Sequence, residues 1–447
     1  MTVDVTDPTA KESLAAPVFK VGALGWMREN LFSSWFNSIL TIISLYVIWL
    51  AASGLWDWGV VEATWSGENR RVCYDNSEHG ACWAGVFEPD NFRKIFYGRF
   101  PGAEMWRVNA GIGLGILWLL PIWLPRVKGK IGIGATAILF YPFIANYFFS
   151  GGEKGVFWSV MVGMAIVAFL WNTVHSIIGM MNGSSLSETI FSKIGMQNSS
   201  ISAQRNTKIG IFLGLSVVAF FLQSGWELSP IPWTKWGGMH LTLIISGIGV
   251  TAALPGGIIL ALGRRSKMPV IRLISITIIE VFRSVPLITV LFMATTMFPL
   301  FMPEGFAINK LVQVIVAVCL FSSCYMAETV RAGLQAIPKG QYEGAHAIGL
   351  SYWQSMSLII MPQALKFMIP NIVGSFIGAF KDTVLVSIIG LFDVLSMTTN
   401  ISVQPAWRGL HKEPLVFLAA IFFVACYGMS KYSQHLEKTI GGGKTSN

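Results

Sequence analysis

Several charged side chains of this 447-residue chain lie within or beside long apolar segments, where an isolated charge costs several kcal/mol. Glu280 precedes Arg283 by three positions, and Glu328 precedes Arg331 by the same spacing. The two side chains of each pair therefore share one helical face and can form an ion pair. Two interpretations explain how these charges avoid that energetic cost. The charges line a polar path for a charged solute, or they fix helix packing or a subunit interface. The residues concerned are Glu280, Arg283, Glu328, Arg331, Lys381 and Asp382.

Motifs for catalysis or nucleotide binding are incomplete in this sequence. The C-terminal GGGKTSN ends like a P-loop, but Lys438 stands where that motif requires its first glycine. Neither HExxH nor GxSxG occurs, and the histidines stand apart. We therefore expect no catalytic residue, no metal site and no cofactor bound by this chain.

Apolar segments of bilayer length dominate the chain, of which 53% is hydrophobic and only 12% charged. Helices satisfy their own backbone hydrogen bonds in hydrocarbon, so the sequence predicts an all-α integral membrane protein with about ten transmembrane helices. The ends of the fifth, seventh and ninth runs are the least defined. The ten runs cover about residues 35–56, 106–125, 131–150, 156–178, 209–225, 239–262, 270–298, 310–330, 364–390 and 414–432.

Small residues recur four apart within two of these runs, in GIGLG at 111–115 and GSFIG at 374–378. This spacing predicts close helix packing.

The basic residues indicate how the chain is oriented. With both termini in the cytoplasm, the inner loops carry more Lys and Arg than the outer loops, as the positive-inside rule requires. This orientation puts the insert 57–105 outside and the segment between the eighth and ninth runs in the cytoplasm. The net charge of +9 is then a topology signal, and no basic stripe with interleaved aromatic residues indicates nucleic acid. The inner basic residues include Arg126, Lys128, Lys130, Arg264, Arg265 and Lys267.

The cytoplasmic segment 338–362 carries a pattern with fixed spacing. It resembles the EAA loop of permease subunits in bacterial ATP-binding-cassette importers, a short helix that docks on an ATPase subunit. Gly344 and Met361 depart from that family pattern, in which Ala and Leu are usual. The alternative is an ordinary amphipathic helix between two spans. The matching residues are Glu343, Gly344, Ala345, Gly349, Ile359 and Pro362.

The resemblance implies that this loop couples the permease to ATP hydrolysis. Small residues on a contact face let two backbones approach closely, so we expect Gly344, Ala345, Ala347 and Gly349 to face the ATPase. Glu343 lies early in the helix, where its carboxylate is favoured by the dipole and can pair with a basic residue of the partner. The prolines at 338 and 362 are predicted to end the helical element on either side.

The chain divides near residue 235. Residues 236–436 resemble the core of the polar-amino-acid permease family, which implies a five-helix type I importer permease core. Residues 1–235 resemble the M-type subunit of general L-amino-acid importers, which implies about five further spans, and 437–447 are a cytoplasmic tail. The matching segments are NLFSSWFNSILT at 30–41, GACW at 80–83, YGRFPGAEMWRVN at 97–109, HLTLIISGIGV from His240, EVFRSVPLI at 280–288, CYMAETVRAGLQAIPKGQ at 324–341, PQALKFMIPN at 362–371 and KDTVLVSIIG at 381–390.

Two cysteines, Cys73 and Cys82, lie in the outer insert. Outside a bacterial inner membrane they face an oxidising compartment, so a disulfide is predicted. Two free thiols are the alternative that their spacing leaves open. Metal binding together with His79 lacks a fourth ligand.

The resemblance implies a transport subunit that moves polar or general L-amino acids across the bacterial inner membrane. It implies three kinds of partner besides the lipid bilayer: a second, related permease in a heterodimer, two ATPase subunits that bind ATP and Mg, and a periplasmic amino-acid-binding protein. A secondary transporter would show repeated halves and no EAA-like loop. A membrane-embedded enzyme would need a nucleophile or a metal set.

Overall fold

The computed structural model describes residues 23–76, 79–124, 127, 129–152, 155–182, 201–223, 228–305 and 308–440. The chain forms two compact units, residues 1–87 and 88–447. Within the described residues the regular structure is helical, apart from two isolated β-bridges. The GGGKTSN tail, Arg126, Lys128 and the end of the predicted fifth run lie outside the described residues.

The described helices are numbered in chain order. In the first unit they are α1 (Ala23–Asn30), α2 (Trp35–Trp56), α3 (Arg70–Asn76) and α4 (Ala84–Phe87). The second unit begins with α5 (Pro89–Tyr97), α6 (Met105–Trp123), α7 (Lys130–Ser150), α8 (Val156–Asn182) and α9 (Ile201–Gln223). It continues with α10 (Gly238–Arg264), α11 (Pro269–Ser284), α12 (Leu287–Phe292), α13 (Lys310–Gln335), α14 (Lys339–Ala347), α15 (Tyr352–Ser355), α16 (Met361–Asp382), α17 (Val394–Thr399) and α18 (Lys412–Ile440).

Nine of the described helical segments are long and apolar enough to cross a membrane, and a bent pair brings the number to ten. The predicted all-α membrane fold with about ten spans is therefore confirmed. The predicted run 270–298 is not one continuous helix, because the chain bends by 110° between α11 and α12. Pro286 is the cause: the residue before a proline is forced out of the α-region, and Val285 is extended, with φ −115° and ψ 149°.

In the first unit, Ser34 caps the start of α2, and its side chain accepts a hydrogen bond from the backbone N–H of Asn37 at 3.2 Å. No residue of α2 is buried within the structure, and the helix is apolar on all sides. Such a helix is typical of a membrane span that faces lipid or another subunit.

In the second unit, the core forms where α10 packs along α13. Glycines let the two backbones approach: a Cβ at Gly257 would lie 2.7 Å from the side chain of Met326. The predicted close packing at GIGLG is also present, since a Cβ at Gly111 would lie 2.4 Å from Phe149 and one at Gly115 would lie 2.7 Å from Tyr141. A buried cluster including Met326, Leu334 and Ile360 joins α10 and α13 to the start of α16 and supports the loop between them.

Candidate functional site

The loop between α13 and α16 is a folded element with a defined start and end. It begins with α14 after Pro338 and ends at Gly349, whose φ of +78° is a conformation that favours glycine. The backbone N–H of Leu350 donates to the carbonyl of Ala345 at 3.2 Å, which closes the end of the helix. A capping box then starts the next helix, because Ser351 and Gln354 each accept a hydrogen bond from the other's backbone N–H, at 3.4 and 3.0 Å.

Side chains on one side of α14 tie it to the membrane-spanning helices. The hydroxyl of Tyr342 donates to the carbonyl of Leu334 at 3.1 Å, and Arg265 Nη1 donates to that hydroxyl at 3.3 Å. The Gln363 side chain donates to Gln341 at 2.9 Å. The loop is therefore joined to the ends of α10, α13 and α16.

The opposite side of the loop is exposed and combines small residues with large apolar ones. A Cβ at Gly344 or Gly349 would meet nothing within 4 Å. Ile348 and Trp353 are 70% and 68% exposed, so the loop presents apolar surface beside its polar residues. We call this surface the loop face; it consists of Glu343, Gly344, Ala347, Ile348, Gly349, Tyr352 and Trp353.

Three residues of the loop face were missed by the sequence pattern: Ile348, Tyr352 and Trp353. They lie between the fixed positions of the motif, in stretches where the pattern allows any residue. The signal that could have found them is their apolar and aromatic character within a segment of polar and small residues.

A groove of about 340 Å³ runs beside the loop face. Lys339 and Arg265 supply two positive charges to it, and Glu343 one negative charge. Its remaining lining residues are Leu334, Gln335, Ile337 and Tyr342. One acidic and two basic side chains therefore line the same groove beside the loop face.

Two features of the predicted coupling loop are wrong in detail. Ala345 does not lie on the contact face, since it is 1% exposed and packs into the chain. Pro362 does not end the element, because the helical path runs from Tyr352 to Ser387 with a π-turn at Met356–Ile360. Pro362 follows directly on that π-turn, an irregularity of the kind at which a helix can accommodate a proline. Ile359 is half-buried and packs on the core cluster.

Four of the six predicted intramembrane charges form one group with Arg264, across three helices. Arg264 Nη1 lies 2.9 Å from Glu280 Oε1 and 3.7 Å from Glu328 Oε2. Glu328 also contacts Arg283 Nη1 at 3.5 Å and accepts a hydrogen bond from Arg331 Nε at 2.8 Å. We call these five residues the arginine–glutamate network.

The network corrects one pairing predicted from the sequence. Glu328 pairs with Arg331 as expected, but Glu280 pairs with Arg264 of α10, and Arg283 pairs with Glu328 of α13. Spacing within one helix identifies possible partners, but it cannot reveal a residue on a neighbouring helix that competes for them. Arg264 was assigned only to topology for that reason.

Lys381 and Asp382 stand apart from this network. Lys381 is exposed and Asp382 is half-buried, and neither makes an ion pair with any described residue.

In the first unit, Cys73 and Cys82 lie at bonding distance, with their Cα atoms 5.5 Å apart. Trp83 follows directly, and its indole N–H donates to the carbonyl of Gly59 at 2.7 Å. Its ring packs against those of Trp58 and Trp65. This part of the insert is a small aromatic core with a candidate disulfide at its edge. In the part of the chain that is described, no group of three or more His, Cys, Asp or Glu residues could hold a metal ion.

Comparison with known proteins assigns this helical core and its folded loop to a class of membrane transport subunit. Residues 253–439 match the family described as the binding-protein-dependent transport system inner membrane component. Nearly the whole chain matches individual members of that class.

The inner membrane amino-acid ABC transporter permease protein YhdY of Escherichia coli strain K12 is 39% identical over 426 residues, which are 95% of this chain and 94% of that protein. The glutamate/glutamine/aspartate/asparagine transport system permease protein BztC of Rhodobacter capsulatus is 36% identical, over 95% of each chain. A solved amino-acid ABC transporter with histidines is 32% identical over 44% of this chain and 90% of that chain, with a TM-score of 0.41. This chain belongs to the amino-acid ABC transporter permeases.

Proposed function

We propose that this subunit carries polar L-amino acids inward across a bacterial inner membrane, driven by ATP hydrolysis in partner subunits. The observation that carries the proposal is the loop face. A helix fixed to three membrane-spanning helices presents open glycine positions and exposed apolar side chains on its free side. Such a surface suits a protein contact that transmits movement.

Two ATPase subunits are the proposed source of energy, and ATP and Mg belong to them. In this proposal, Trp353 and Ile348 enter an apolar depression on the ATPase, and Glu343 pairs with a cation beside it. Apolar side chains buried in a contact contribute most of its stability, so Trp353 is expected to be its main anchor. Gly344 and Gly349 allow the partner to approach the backbone.

The remaining proposed partners are a second permease of distinct sequence and an external amino-acid-binding protein. The family description of a binding-protein-dependent system supports the latter. Polar amino acids as cargo are supported by the relative from Rhodobacter capsulatus, whose name specifies glutamate, glutamine, aspartate and asparagine transport.

The proposed orientation has both termini in the cytoplasm and the insert 57–105 outside. It places the loop face, Arg264 and Arg265 on the side where ATP is available, in keeping with the positive-inside rule. Cys73 and Cys82 then lie in an oxidising compartment.

The intramembrane charges form two groups with different proposed roles: the arginine–glutamate network, and the pair Lys381 and Asp382. Every member of the arginine–glutamate network contacts an opposite charge, which supports a role in helix packing. Lys381 and Asp382 have no such ion-pair partner among the described residues, so they are better placed to meet a solute or another subunit.

Copurification and transport test this proposal. The tagged chain, extracted gently from its native membrane, should bring with it an ATPase, a second permease and, with substrate present, a binding protein. The complex in proteoliposomes should take up polar amino acids only when ATP is inside with the ATPase. Recovery without an ATPase, together with uptake by this subunit alone under an ion gradient, would establish a secondary transporter instead.

A further inference from the structure

A second groove, of about 510 Å³, opens on the surface of the second unit between α10, α16 and α18. The helix α5 forms one wall of this groove through Phe96. Every side chain that lines it is apolar, so a polar ligand would lose its hydrogen bonds to water there without replacement. A space of this size is typical of a site for a small ligand. We call it the apolar groove; its lining includes Phe96, Met239, Phe380, Phe417, Ala420 and Val424.

The helix α5 is fixed to its neighbours at the end where α10 begins. Nε1 of Trp407, after α17, donates to the carboxylate of Glu88 at 2.6 Å, and Nε2 of Gln404 donates to Oδ1 of Asn91 at 2.8 Å. A Cβ at Gly238, the first residue of α10, would lie 2.4 Å from a carbonyl oxygen of α5, so the two backbones are in contact. This helix therefore closes the apolar groove at the end where α10 begins.

The length of the apolar groove corresponds to one leaflet of a bilayer. Its lining residues on α18 run from Phe417 to Ala425, a separation of eight residues and a rise of about 12 Å. The hydrocarbon core of a bilayer is about 30 Å thick, so each leaflet contributes about 15 Å. A membrane-spanning helix seated in the groove would continue past its closed end and collide with α5, where the rings of Phe92 and Phe417 lie 6.2 Å apart. An acyl chain, in contrast, ends within a single leaflet.

A positive charge lies at the closed end of the groove. Lys412 is the first residue of α18, about 7.5 Å of helix before Phe417. It is exposed and makes no ion pair with any residue that the structure describes. Of the acidic residues at this end, Asp90 pairs with two basic residues of α5, and Glu413 is only 8% exposed. A lysine at the end of a span extends its ammonium group to the level of the lipid phosphates.

We propose that the apolar groove binds one acyl chain of a phospholipid, whose phosphate contacts Lys412. The chain fills the space between α5 and the three membrane-spanning helices, so it joins the N-terminal half of the protein to the C-terminal core. In the orientation proposed above, this lipid belongs to the outer leaflet. The proposal goes beyond the transport function, because it requires neither cargo nor ATPase.

Lipid titration of the full-length subunit tests the proposal. The delipidated protein in detergent is titrated with phosphatidylglycerol, and bound lipid is counted by native mass spectrometry. Ala420→Trp fills the groove and should lower the affinity for the tightest-bound lipid by about tenfold, the effect of losing roughly two buried methylene groups. Ala419→Trp is the matched control, because Ala419 is the adjacent exposed alanine of α18 and lies outside the lining. Equal affinities of the two variants would overturn the proposal.

The contact at Lys412 is tested by a second pair of variants. Lys412→Glu leaves the groove open but repels the phosphate, so it should lower the lipid affinity by about tenfold, whereas Lys412→Arg should preserve it. This pair decides the question if Ala420→Trp does not fold. Equal lipid binding by Lys412→Glu and the unmodified chain would contradict the proposed site.

Photolabelling identifies the occupant of the groove in a membrane. Phosphatidylglycerol with a diazirine near the end of one acyl chain should label the segment 417–425 in proteoliposomes of the intact complex. Labelling should fall in Ala420→Trp and remain in Ala419→Trp. In native membranes, Val424→p-benzoylphenylalanine, at a lining position that is 69% exposed, should give no cross-link to another polypeptide. A cross-link to a protein there would show that a protein segment covers the groove, and would overturn the proposal.

Discussion

Nη1 of Arg264 lies 2.9 Å from Oε1 of Glu280, so the last residue of α10 is tied to a residue well along α11. Glu328 of α13 contacts Arg264 as well, together with Arg283 of α11 and Arg331. These contacts bring three arginines and two glutamates from three helices into one group.

Glu328 is the centre of that group, since it contacts Arg264, Arg283 and Arg331. Glu328→Gln leaves three arginines with one glutamate, so we expect it to destabilise the protein by about 2 kcal/mol, given that the side chain is partly exposed. Thermal unfolding of the detergent-solubilised subunit measures the effect. Glu280→Gln is the matched control, because Glu280 contacts one arginine and is more exposed. An equal effect of both variants would contradict the central role of Glu328.

Trp353 is predicted to anchor the ATPase. Trp353→Ala should lower copurification of the ATPase and ATP-driven uptake by about tenfold or more, with expression unchanged, because a large apolar contact is lost. Leu358→Ala is the control, since Leu358 is 67% exposed in the same helical path but lies outside the loop face. If the two variants transport alike, Trp353 does not contribute to the contact.

The sequence predicted more of the fold than of the detail within the site. Apolar runs located the spans because a helix must be long enough and apolar enough to cross the lipid bilayer. The sequence shows both properties directly. The fixed spacing located the loop, yet Ala345 proved to be buried, and Glu280 proved to pair with Arg264. Both depend on which helix stands next to which, and a single sequence does not contain that information.

The insert offers a test of both the disulfide and the orientation. In a variant without the other cysteines, Cys319, Cys324 and Cys426, the pair Cys73 and Cys82 should resist an impermeant thiol reagent in intact cells until a reductant is added. Labelling should then occur from outside. Labelling of unreduced cells would reject the disulfide, and labelling only after the membrane is broken would reverse the orientation.

Substitutions at the two glycines of the loop face distinguish loss of space for the ATPase from strain in the loop backbone. Gly344 lies within α14, so Gly344→Trp fills the open space beside the helix without forcing an unfavourable backbone angle. It should abolish ATP-driven uptake while the protein remains inserted, because the ATPase is held away. At Gly349 the φ of +78° favours glycine, so Gly349→Ala is expected to cost about 1 kcal/mol before any contact is considered, and Gly349→Asn less. Uptake and ATPase recovery should therefore follow the order Asn above Ala at position 349. Normal uptake by Gly344→Trp at unchanged expression would show that the ATPase binds elsewhere.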